Sequence, residues 1–418
     1  MSLNQRYNVL TFYERIFLTK MKLELERQDF LKAWQVTERF ASTKTAKDST
    51  RGILITAAED NTVILKATDL NTSVKFQAQG VNVLEPGFAV VPASIFSEML
   101  KKASSEDLVL EVDQVRGLLS SGRQKTRFAV IQAEEFPNIP ESSGAEQVCE
   151  ISALDLTNII TEGSSAASQP LDYPKYLGTC LLRTSEGAIT GVSTDGKRLS
   201  LSKFPCGVSK DEDMLLMAPA LKEVGKIIAG RGDDMVKILT DGSMTWFVLD
   251  KIELSIRRVE SAFPKFEKIL NSDVVTTLKI DAEELISSLE RVDIIAKTTP
   301  AHIMAMSLNP NGELSITSRA PELGTARETL NAEITGDSLQ VGFNVAYFLD
   351  GLKAIGKETA VIEFSGAEGQ TRMKREGSDD FLYMLMPARL STQDLMTEEE
   401  QGDFVTGEPE QPQEAQNE

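Results

Sequence analysis

Residues 191–198, which read GVSTDGKR, come close to the glycine-rich loop that binds nucleotide phosphates. That motif needs Ser or Thr after its lysine to hold magnesium, whereas Arg198 stands there in this chain. Residues 199–202 then alternate apolar and polar like a strand, so no helix N-terminus is expected to hold a phosphate. We therefore predict a structural turn, like the one expected at Thr68-Asp69, which stands 126 residues before Thr194-Asp195.

Other reactive side chains are few and scattered. His302 is the only histidine, which excludes chemistry that needs a histidine pair, and we expect it in a loop or at a strand edge. Cys149, Cys180 and Cys206 stand far apart and predict neither a disulfide framework nor a zinc site. Paired acids have no aromatic or histidine neighbour that would suit them to acid–base catalysis. We predict no catalytic residue, no metal site and no cofactor.

Length and composition describe a protein of several domains. The 418 residues suggest about three domains at roughly 150 residues each, and 41% hydrophobic with 26% charged residues is typical of a globular chain. No apolar run approaches the roughly 20 residues that span a bilayer, so no membrane partner is expected. Residues 1–20 mix apolar residues with charges and lack a small-residue cleavage site, unlike a signal peptide. We predict a cytoplasmic protein.

The charge is negative and unevenly distributed. Of the net charge of −19, the last 25 residues carry −9, which leaves −10 on the rest of the chain. Bulk charge therefore disfavours a nucleic-acid binder that relies on a basic surface, although a local basic face can coexist with an acidic exterior.

An internal repeat organises the chain. A short strand followed by an amphipathic helix recurs near Leu25, Ile151 and Ile280, which lie 126 and 129 residues apart. A second helix in each repeat is predicted to begin at Pro92, at Pro219 and, with an N-cap, at Asn344. We therefore predict an α+β protein with three tandem copies of one domain, each with two helices packed on antiparallel sheets. The predicted boundaries are 1–20 for an N-terminal extension, 21–146, 147–273 and 274–392 for the copies, and 393–418 for a disordered acidic tail.

The helices carry sparse basic residues. These are Lys32, Arg39, Lys101, Lys102, Lys222, Lys226 and Lys353. An ordinary solvated helix face and a set of weak, sequence-blind contacts to duplex phosphates both fit this pattern, and the sequence does not choose between them.

The repeat and several motifs together resemble the beta subunit of bacterial DNA polymerase III, the sliding clamp. The resemblance runs in order from about Met21 to Leu390. Its pieces are Thr68-Asp69-Leu70, Phe136-Pro137-Asn138, Thr194-Asp195-Gly196-Lys197-Arg198-Leu199, Phe263-Pro264-Lys265-Phe266, Tyr347-Phe348-Leu349-Asp350-Gly351-Leu352 and Tyr383-Met384-Leu385-Met386-Pro387-Ala388-Arg389-Leu390.

The resemblance implies a head-to-tail homodimeric ring of six similar domains, with helices lining a hole that passes duplex DNA without sequence specificity. Such clamps are not enzymes, and they hold the replicative polymerase on DNA for processive replication. The partners implied are the polymerase III alpha subunit, the clamp loader and other proteins that carry a clamp-binding peptide. Lys44 and Arg51 join the helix cations as residues implied to face DNA, and Phe128 and Val130 are implied to meet Ile294 and Ile295 at the dimer contact.

The family takes its partners' Gln- and Leu/Phe-containing peptide in a pocket between the second and third domains. Carried over by motif, that pocket would use Leu177, Thr194, Gly196, Arg198, Leu199, Pro264, Ile269, Met384, Leu385, Met386, Pro387, Arg389 and Leu390. Lys197 stands where the family often has His, and Ala388 where a second Met is common. The 28 residues after Leu390 extend past the family's usual end. Within them, Gln393-Asp394-Leu395-Met396 loosely echoes the partner peptide, which raises the hypothesis that the tail competes for the pocket.

Two other classes of protein stay open at this point. A specialised or non-replicative scaffold on the same fold would keep the peptide pocket but lose topological retention on circular DNA. An enzyme would need a cluster of reactive side chains, which the sequence does not offer.

Overall fold

The structure is a computed structural model, and it describes residues 20–42, 48–168, 174–321 and 323–390. The chain forms two compact units. Unit 1 comprises Met1–Ser164, Gln169–Gly191 and Lys203–Phe263, and unit 2 comprises Ser165–Ser168, Val192–Ser202 and Pro264–Glu418. The predicted N-terminal extension, apart from Lys20, and the predicted acidic tail lie outside the described residues.

The described ranges hold six α-helices, two for each predicted copy. They are α1 (Arg27–Glu38), α2 (Ala93–Lys101), α3 (Ala153–Gly163), α4 (Ala218–Ile228), α5 (Ala282–Ala296) and α6 (Val345–Ile355). The helices pack in the pairs α1 with α2, α3 with α4 and α5 with α6.

The strands of the first copy are β1 (Met21–Glu26), β2 (Gly52–Ala57), β3 (Val63–Thr68), β4 (Thr72–Ala78), β5 (Val81–Glu85), β6 (Gly87–Pro92), β7 (Asp107–Val112), β8 (Arg116–Ser121) and β9 (Gln124–Ala129). Those of the second are β10 (Glu146–Ser152), β11 (Thr179–Ser185), β12 (Ala188–Thr194), β13 (Arg198–Pro205), β14 (Gly207–Val208), β15 (Glu212–Met217), β16 (Met235–Thr240), β17 (Met244–Leu249) and β18 (Ile252–Arg257). Those of the third are β19 (Thr276–Asp281), β20 (Ile303–Asn309), β21 (Glu313–Ala320), β22 (Gly324–Asn331), β23 (Glu333–Gly336), β24 (Leu339–Asn344), β25 (Thr359–Phe364), β26 (Thr371–Arg375) and β27 (Phe381–Leu385).

Unit 1 holds the first copy and most of the second, which share one continuous sheet. Nine strands follow the order β14-β10-β16-β17-β18-β4-β3-β2-β6, and the copies join where β18 pairs antiparallel with β4, with Ile252 opposite Phe76. A second sheet has the order β5-β1-β7-β8-β9. The helices cover an apolar core centred on the fully buried Trp34, which packs on Phe96 with ring centroids 4.7 Å apart and donates from Nε1 to the Ala93 carbonyl at 3.0 Å.

Unit 2 holds the third copy together with residues 165–168, 192–202 and 264–273 of the second copy. Its strands β22-β21-β20-β24 form one sheet. In the other sheet, residues 198–202 of β13 pair antiparallel with β27, which continues through β26, β25, β19 and β23. Phe343 of β24 and Phe348 of α6 are fully buried in the apolar core of this unit, with ring centroids 5.1 Å apart.

Local sequence signals start the helices where they were expected. The Asn344 side chain caps α6 by accepting from the Tyr347 N–H at 3.1 Å, and Asp281 caps α5 by accepting from Glu284 at 2.9 Å. Pro92 immediately precedes α2, and Pro219 lies in the first turn of α4, where a missing N–H costs nothing. The predicted α+β class, with two helices per copy packed on antiparallel sheets, is confirmed.

Candidate functional site

The segment that resembled a phosphate loop is a hairpin turn that satisfies its own backbone. Asp195 accepts from the N–H groups of Lys197 at 2.9 Å and Arg198 at 3.0 Å, while Thr194 accepts from Gly196 at 3.1 Å. These N–H groups already have protein partners, so they do not form a cradle for phosphate. The predicted structural turn is confirmed.

The same turn occurs three times. Asp69 accepts from the N–H of Thr72 at 2.7 Å, and Leu70 adopts the positive φ that Gly196 adopts in the second turn. In the third turn, Asp241 accepts from the N–H of Met244 at 2.8 Å. Sequence inspection did not group this turn with the other two. Each turn combines a Thr and an Asp that bond to the backbone two or three residues later.

The turn after Thr194 delivers β13 onto β27. Leu199 lies opposite Met384 in the antiparallel register, and the Met386 N–H donates to the Lys197 carbonyl at 2.9 Å. The two chain segments predicted to carry most of the pocket, 194–199 and 384–390, are therefore brought together within unit 2.

Arg198 is the centre of a polar cluster that holds these segments in place. Its guanidinium contacts Asp195 at 2.9 Å and Asp350 at 2.6 Å, and it donates to the Tyr383 hydroxyl at 3.1 Å. It also lies over the ring of Tyr347, 4.2 Å from the centroid. Since only 9% of its side chain is exposed, Arg198 mainly holds these segments together and presents little surface to solvent.

The protonation of the cluster follows from these contacts. Burial opposes the charge of the Arg198 guanidinium, but Tyr383 and the two carboxylates outweigh burial and raise its pKa. Burial also raises the pKa of the Tyr383 phenol, which stays neutral and donates to the Tyr347 carbonyl at 2.8 Å. Sequence inspection did not name Tyr347, Asp350 and Tyr383 as site residues, although they stand in two of the motifs that carried the resemblance.

The predicted pocket residues divide into a buried and an accessible group. The buried members are at most 4% exposed, so they pack inside the unit and are not accessible to a peptide: Leu199, Met384 and Leu385. The exposed members are Gly196, Pro264, Ile269, Met386 and Arg389, and the half-buried members are Thr194, Arg198, Pro387 and Leu390.

Ile269 and Met386 are the large hydrophobic side chains among the exposed members, at 49% and 50% exposure. The Ile269 carbonyl accepts a hydrogen bond from the Gln370 side chain at 3.0 Å. Gln370 immediately precedes β26, whose first residue, Thr371, lies opposite Leu385. Ile269 is thus held near the end of β27, next to which Met386 lies exposed at the surface. Exposed apolar side chains in a polar surround are the physical basis of a peptide-binding site.

Leu177 is the one predicted pocket residue that belongs to unit 1, where it is half-buried in the short turn Lys175–Gly178. Its place in a pocket stays a prediction.

Most of the cations predicted to face DNA are paired with acids, and four of them pair with an acid three residues earlier. Contacts of 2.6–3.3 Å join Lys32 to Asp29, Arg51 to Asp48, Lys101 to Glu98, Lys226 to Glu223 and Lys353 to Glu290. Lys102 is exposed just after α2, Lys222 is half-buried on α4, and Lys44 lies outside the described residues. The charge that these helices present is therefore smaller than the count of lysines and arginines indicates.

Glu223 connects the first two copies within unit 1. It contacts Lys226 on its own helix at 2.6 Å and Arg39, at the end of α1, at 3.2 Å. Burial raises the pKa of Glu223, but these two cations outweigh burial and lower it below its usual value. Arg39 and Glu223 line a cleft of about 930 Å³ that also contains Lys175 and Arg257, two cations that sequence inspection missed because they stand in loops and at a strand end.

The predicted dimer-contact residues lie on β9, just after it, and on α5. Phe128 is half-buried and packs edge-on against Phe96, with ring centroids 5.4 Å apart, so part of its ring serves its own core. Val130 and Ile295 are also half-buried, whereas Ile294 is 58% exposed. Their role at a dimer contact stays a prediction.

Two searches of the described ranges bear on metal and membrane chemistry. Residues 20–42, 48–168, 174–321 and 323–390 contain no group of three or more His, Cys, Asp or Glu side chains that could hold a metal ion. No helix in these ranges is both long and apolar enough to span a membrane. His302 lies in the loop before β20, as expected, with its ring against the Asp293 carboxylate.

Comparisons with known proteins agree with this architecture. The family model described as DNA polymerase III beta subunit, N-terminal domain, matches residues 21–140, and the C-terminal domain of the same subunit matches residues 267–389. The beta sliding clamp of Staphylococcus aureus is 25% identical over 379 residues, which cover 88% of this chain and 99% of the relative.

Solved structures show the same fold. The DNA polymerase sliding clamp from Bacillus subtilis is 21% identical, with a TM-score of 0.83 over 89% of this chain and 100% of the other. A sliding clamp from Pseudomonas aeruginosa bound to griselimycin is 23% identical, with a TM-score of 0.81 over 89% of this chain and 100% of the other. Because the two domain models together match more than half of the 418 residues, and the relatives match along nearly their whole length, the chain belongs to the DNA polymerase III beta subunit family, the bacterial sliding clamps.

Proposed function

We propose that this protein is a DNA sliding clamp, which encircles duplex DNA without sequence specificity and tethers the replicative polymerase for processive replication. The observation that carries the proposal is the match of both the N-terminal and the C-terminal domain of the polymerase III beta subunit, in order, on one repeated fold. The protein supplies a ring and binding surfaces, and its contribution to replication is not enzymatic.

The partners would bind at the exposed apolar side chains of unit 2. A peptide that contains Gln and Leu or Phe would place its apolar side chains on Ile269 and Met386, while Arg198 holds the surrounding segments. The polymerase III alpha subunit, the clamp loader and other proteins with such a peptide are the partners we propose. Leu177 would join the site from the second domain.

The ring would be a head-to-tail homodimer of chains with three domains each, at residues 21–146, 147–273 and 274–392. Two sheet edges support this proposal, since β9 and β22 each end a sheet and both alternate exposed and half-buried residues. An open edge pairs readily with another strand. Phe128 and Val130 of one chain would lie against Ile294 and Ile295 of the next.

The compartment we propose is the cytoplasm, where DNA replication takes place in bacteria. The cysteines of the described structure are thiols rather than disulfides, as is usual in a reducing compartment.

Retention on circular DNA tests the proposal directly. The protein is loaded onto a nicked circular plasmid by its cognate clamp loader with ATP, and the DNA-bound fraction is measured by gel filtration at high salt before and after the plasmid is cut once. We expect retention on the circle and release after cutting, with no retention when the loader is omitted. Binding that cutting does not change would refute a topological clamp, and peptide binding without retention would favour the non-replicative scaffold.

A further inference from the structure

Two cysteines that are 57 residues apart in sequence meet at the edge of the nine-stranded sheet of unit 1. Cys149 lies on β10, and Cys206 immediately precedes β14, which pairs with β10 through Cys149 opposite Val208 and Glu150 opposite Gly207. Cys149 is fully buried, Cys206 is half-buried, and both contact the same apolar core. Val208, opposite Cys149, also donates its N–H to the Cys206 carbonyl at 3.0 Å, which places the two cysteines on adjoining segments where each thiol alters the pKa of the other. Wide spacing along the sequence concealed this pair.

We propose that Cys149 and Cys206 are a redox modification site, a thiol pair that converts reversibly to a disulfide. The proposal rests on their adjoining positions and on their unequal exposure, since a low-molecular-weight disulfide can reach the half-buried thiol but not the buried one. It is independent of the proposed clamp function.

The two thiols have different roles in the exchange. The neighbouring Cys149 thiol lowers the pKa of the Cys206 thiol, while Cys206 and burial both raise the pKa of Cys149. Thiolate is the attacking species in thiol–disulfide exchange, so Cys206 attacks first and Cys149 resolves.

The reaction balances with glutathione disulfide as the oxidant. The Cys206 thiolate attacks one glutathione sulfur, which breaks the glutathione S–S bond, forms a mixed disulfide and releases one glutathione thiolate. Cys149 gives up its proton to that thiolate and attacks the Cys206 sulfur, which releases the second glutathione as a thiolate that takes up the proton Cys206 lost on ionising. The protein loses two electrons and two protons, and glutathione disulfide becomes two glutathione thiols.

The bond would change the mechanics of the second copy. It would fasten the two-residue strand β14 to β10 and close the chain between Cys149 and Cys206, which contains α3 and strands β11 to β13. Closing a loop restricts the unfolded chain, so the oxidised protein should unfold at a higher temperature than the reduced protein.

The test uses the reduced full chain, oxidised glutathione as the probe, and alkylation followed by peptide mass spectrometry. We expect a cross-linked peptide pair containing Cys149 and Cys206, lighter by two hydrogens than the separate peptides, which disappears after reduction. Cys180→Ala is the matched control, because Cys180 is buried on β11 and its Sγ lies 3.9 Å from the Leu181 carbonyl. This variant should form the cross-link as the natural protein does.

Two variants separate the steps. Cys206→Ser changes the half-buried residue, so the fold should persist, and it should leave Cys149 unmodified by glutathione. Cys149→Ala should trap glutathione on Cys206. The proposal would be overturned by stable glutathione on Cys206 of the natural protein, by two free thiols after exposure to the probe, or by a cross-link that appears only in urea.

Discussion

Replacing Met386 by alanine should weaken the binding of a partner peptide without affecting the fold. Met386 is 50% exposed at the end of β27, so a bound peptide can cover about half of its side chain. Complete burial of a Met side chain contributes about 1.5–3 kcal/mol to a binding free energy. Half of that contribution, reduced for the Cβ that alanine keeps, is about 1 kcal/mol. At about 1.4 kcal/mol per tenfold change, the Kd should rise about fivefold.

Fluorescence anisotropy of a labelled Gln-Leu-Asp-Leu-Phe peptide, titrated with the full chain, measures this change. Met235→Ala is a matched control, because Met235 is 49% exposed on β16 of unit 1 and lies outside the proposed site. Its Kd should equal that of the natural protein. An unchanged Kd for Met386→Ala, or an equal loss in both variants, would refute the assignment of this surface to peptide binding.

Two further changes test the packing and electrostatics of the fold by urea unfolding. Gly351→Ala should destabilise the fold by about 1–3 kcal/mol, because the added Cβ would lie 2.6 Å from the buried ring of Tyr383. Gly144→Ala is the control: its added Cβ would have no atom within 4 Å, so the unfolding midpoint should not change. Glu212→Gln should lower the free energy of unfolding by about 1–2 kcal/mol at neutral pH, because it removes a charged partner of Arg258 at 2.8 Å. Burial raises the pKa of Glu212, but the cations Arg258 and Lys210 outweigh burial and lower that pKa below the ordinary 4.5. Such a group stabilises the fold above its ordinary pKa and loses that effect as pH falls through the lowered pKa, so the two proteins should converge in acid; a constant difference would contradict this reasoning.

The parts of the fold that could be predicted from sequence depend on local rules. Helix starts at Pro92, Pro219 and Asn344 follow from the backbone needs of a first helical turn, which neighbouring residues satisfy. The Thr194-Asp195 turn is likewise complete within five residues. Repetition of these local signals at a nearly constant spacing then indicated three copies of one domain.

The parts that could not be predicted depend on residues far apart in the chain. Arg198 contacts Asp350 and Tyr383, which are 152 and 185 residues away, and no periodicity links these positions. The alternation of residues 199–202 indicated a strand, but it did not show that Leu199, Ser200 and Ser202 are all buried in this structure. Cys149 and Cys206 illustrate the same limit, since only strand pairing brings them together.

The pairing of the helix cations has a direct consequence for how the protein would hold DNA. The affinity of binding through phosphate contacts falls with salt, and the fall is steeper when more cations contact phosphates. With two such contacts the affinity would fall only about tenfold between 50 and 200 mM salt. Lys32, Lys101, Lys226 and Lys353 each have an acid within 3.1 Å, so each would exchange an existing ion pair for a phosphate contact and gain little. If these helices face DNA as proposed, charge alone would not attach them firmly, and retention would depend on the proposed ring closure. Weak contact of this kind lets a closed ring move along the duplex, because no phosphate is held strongly enough to stop it.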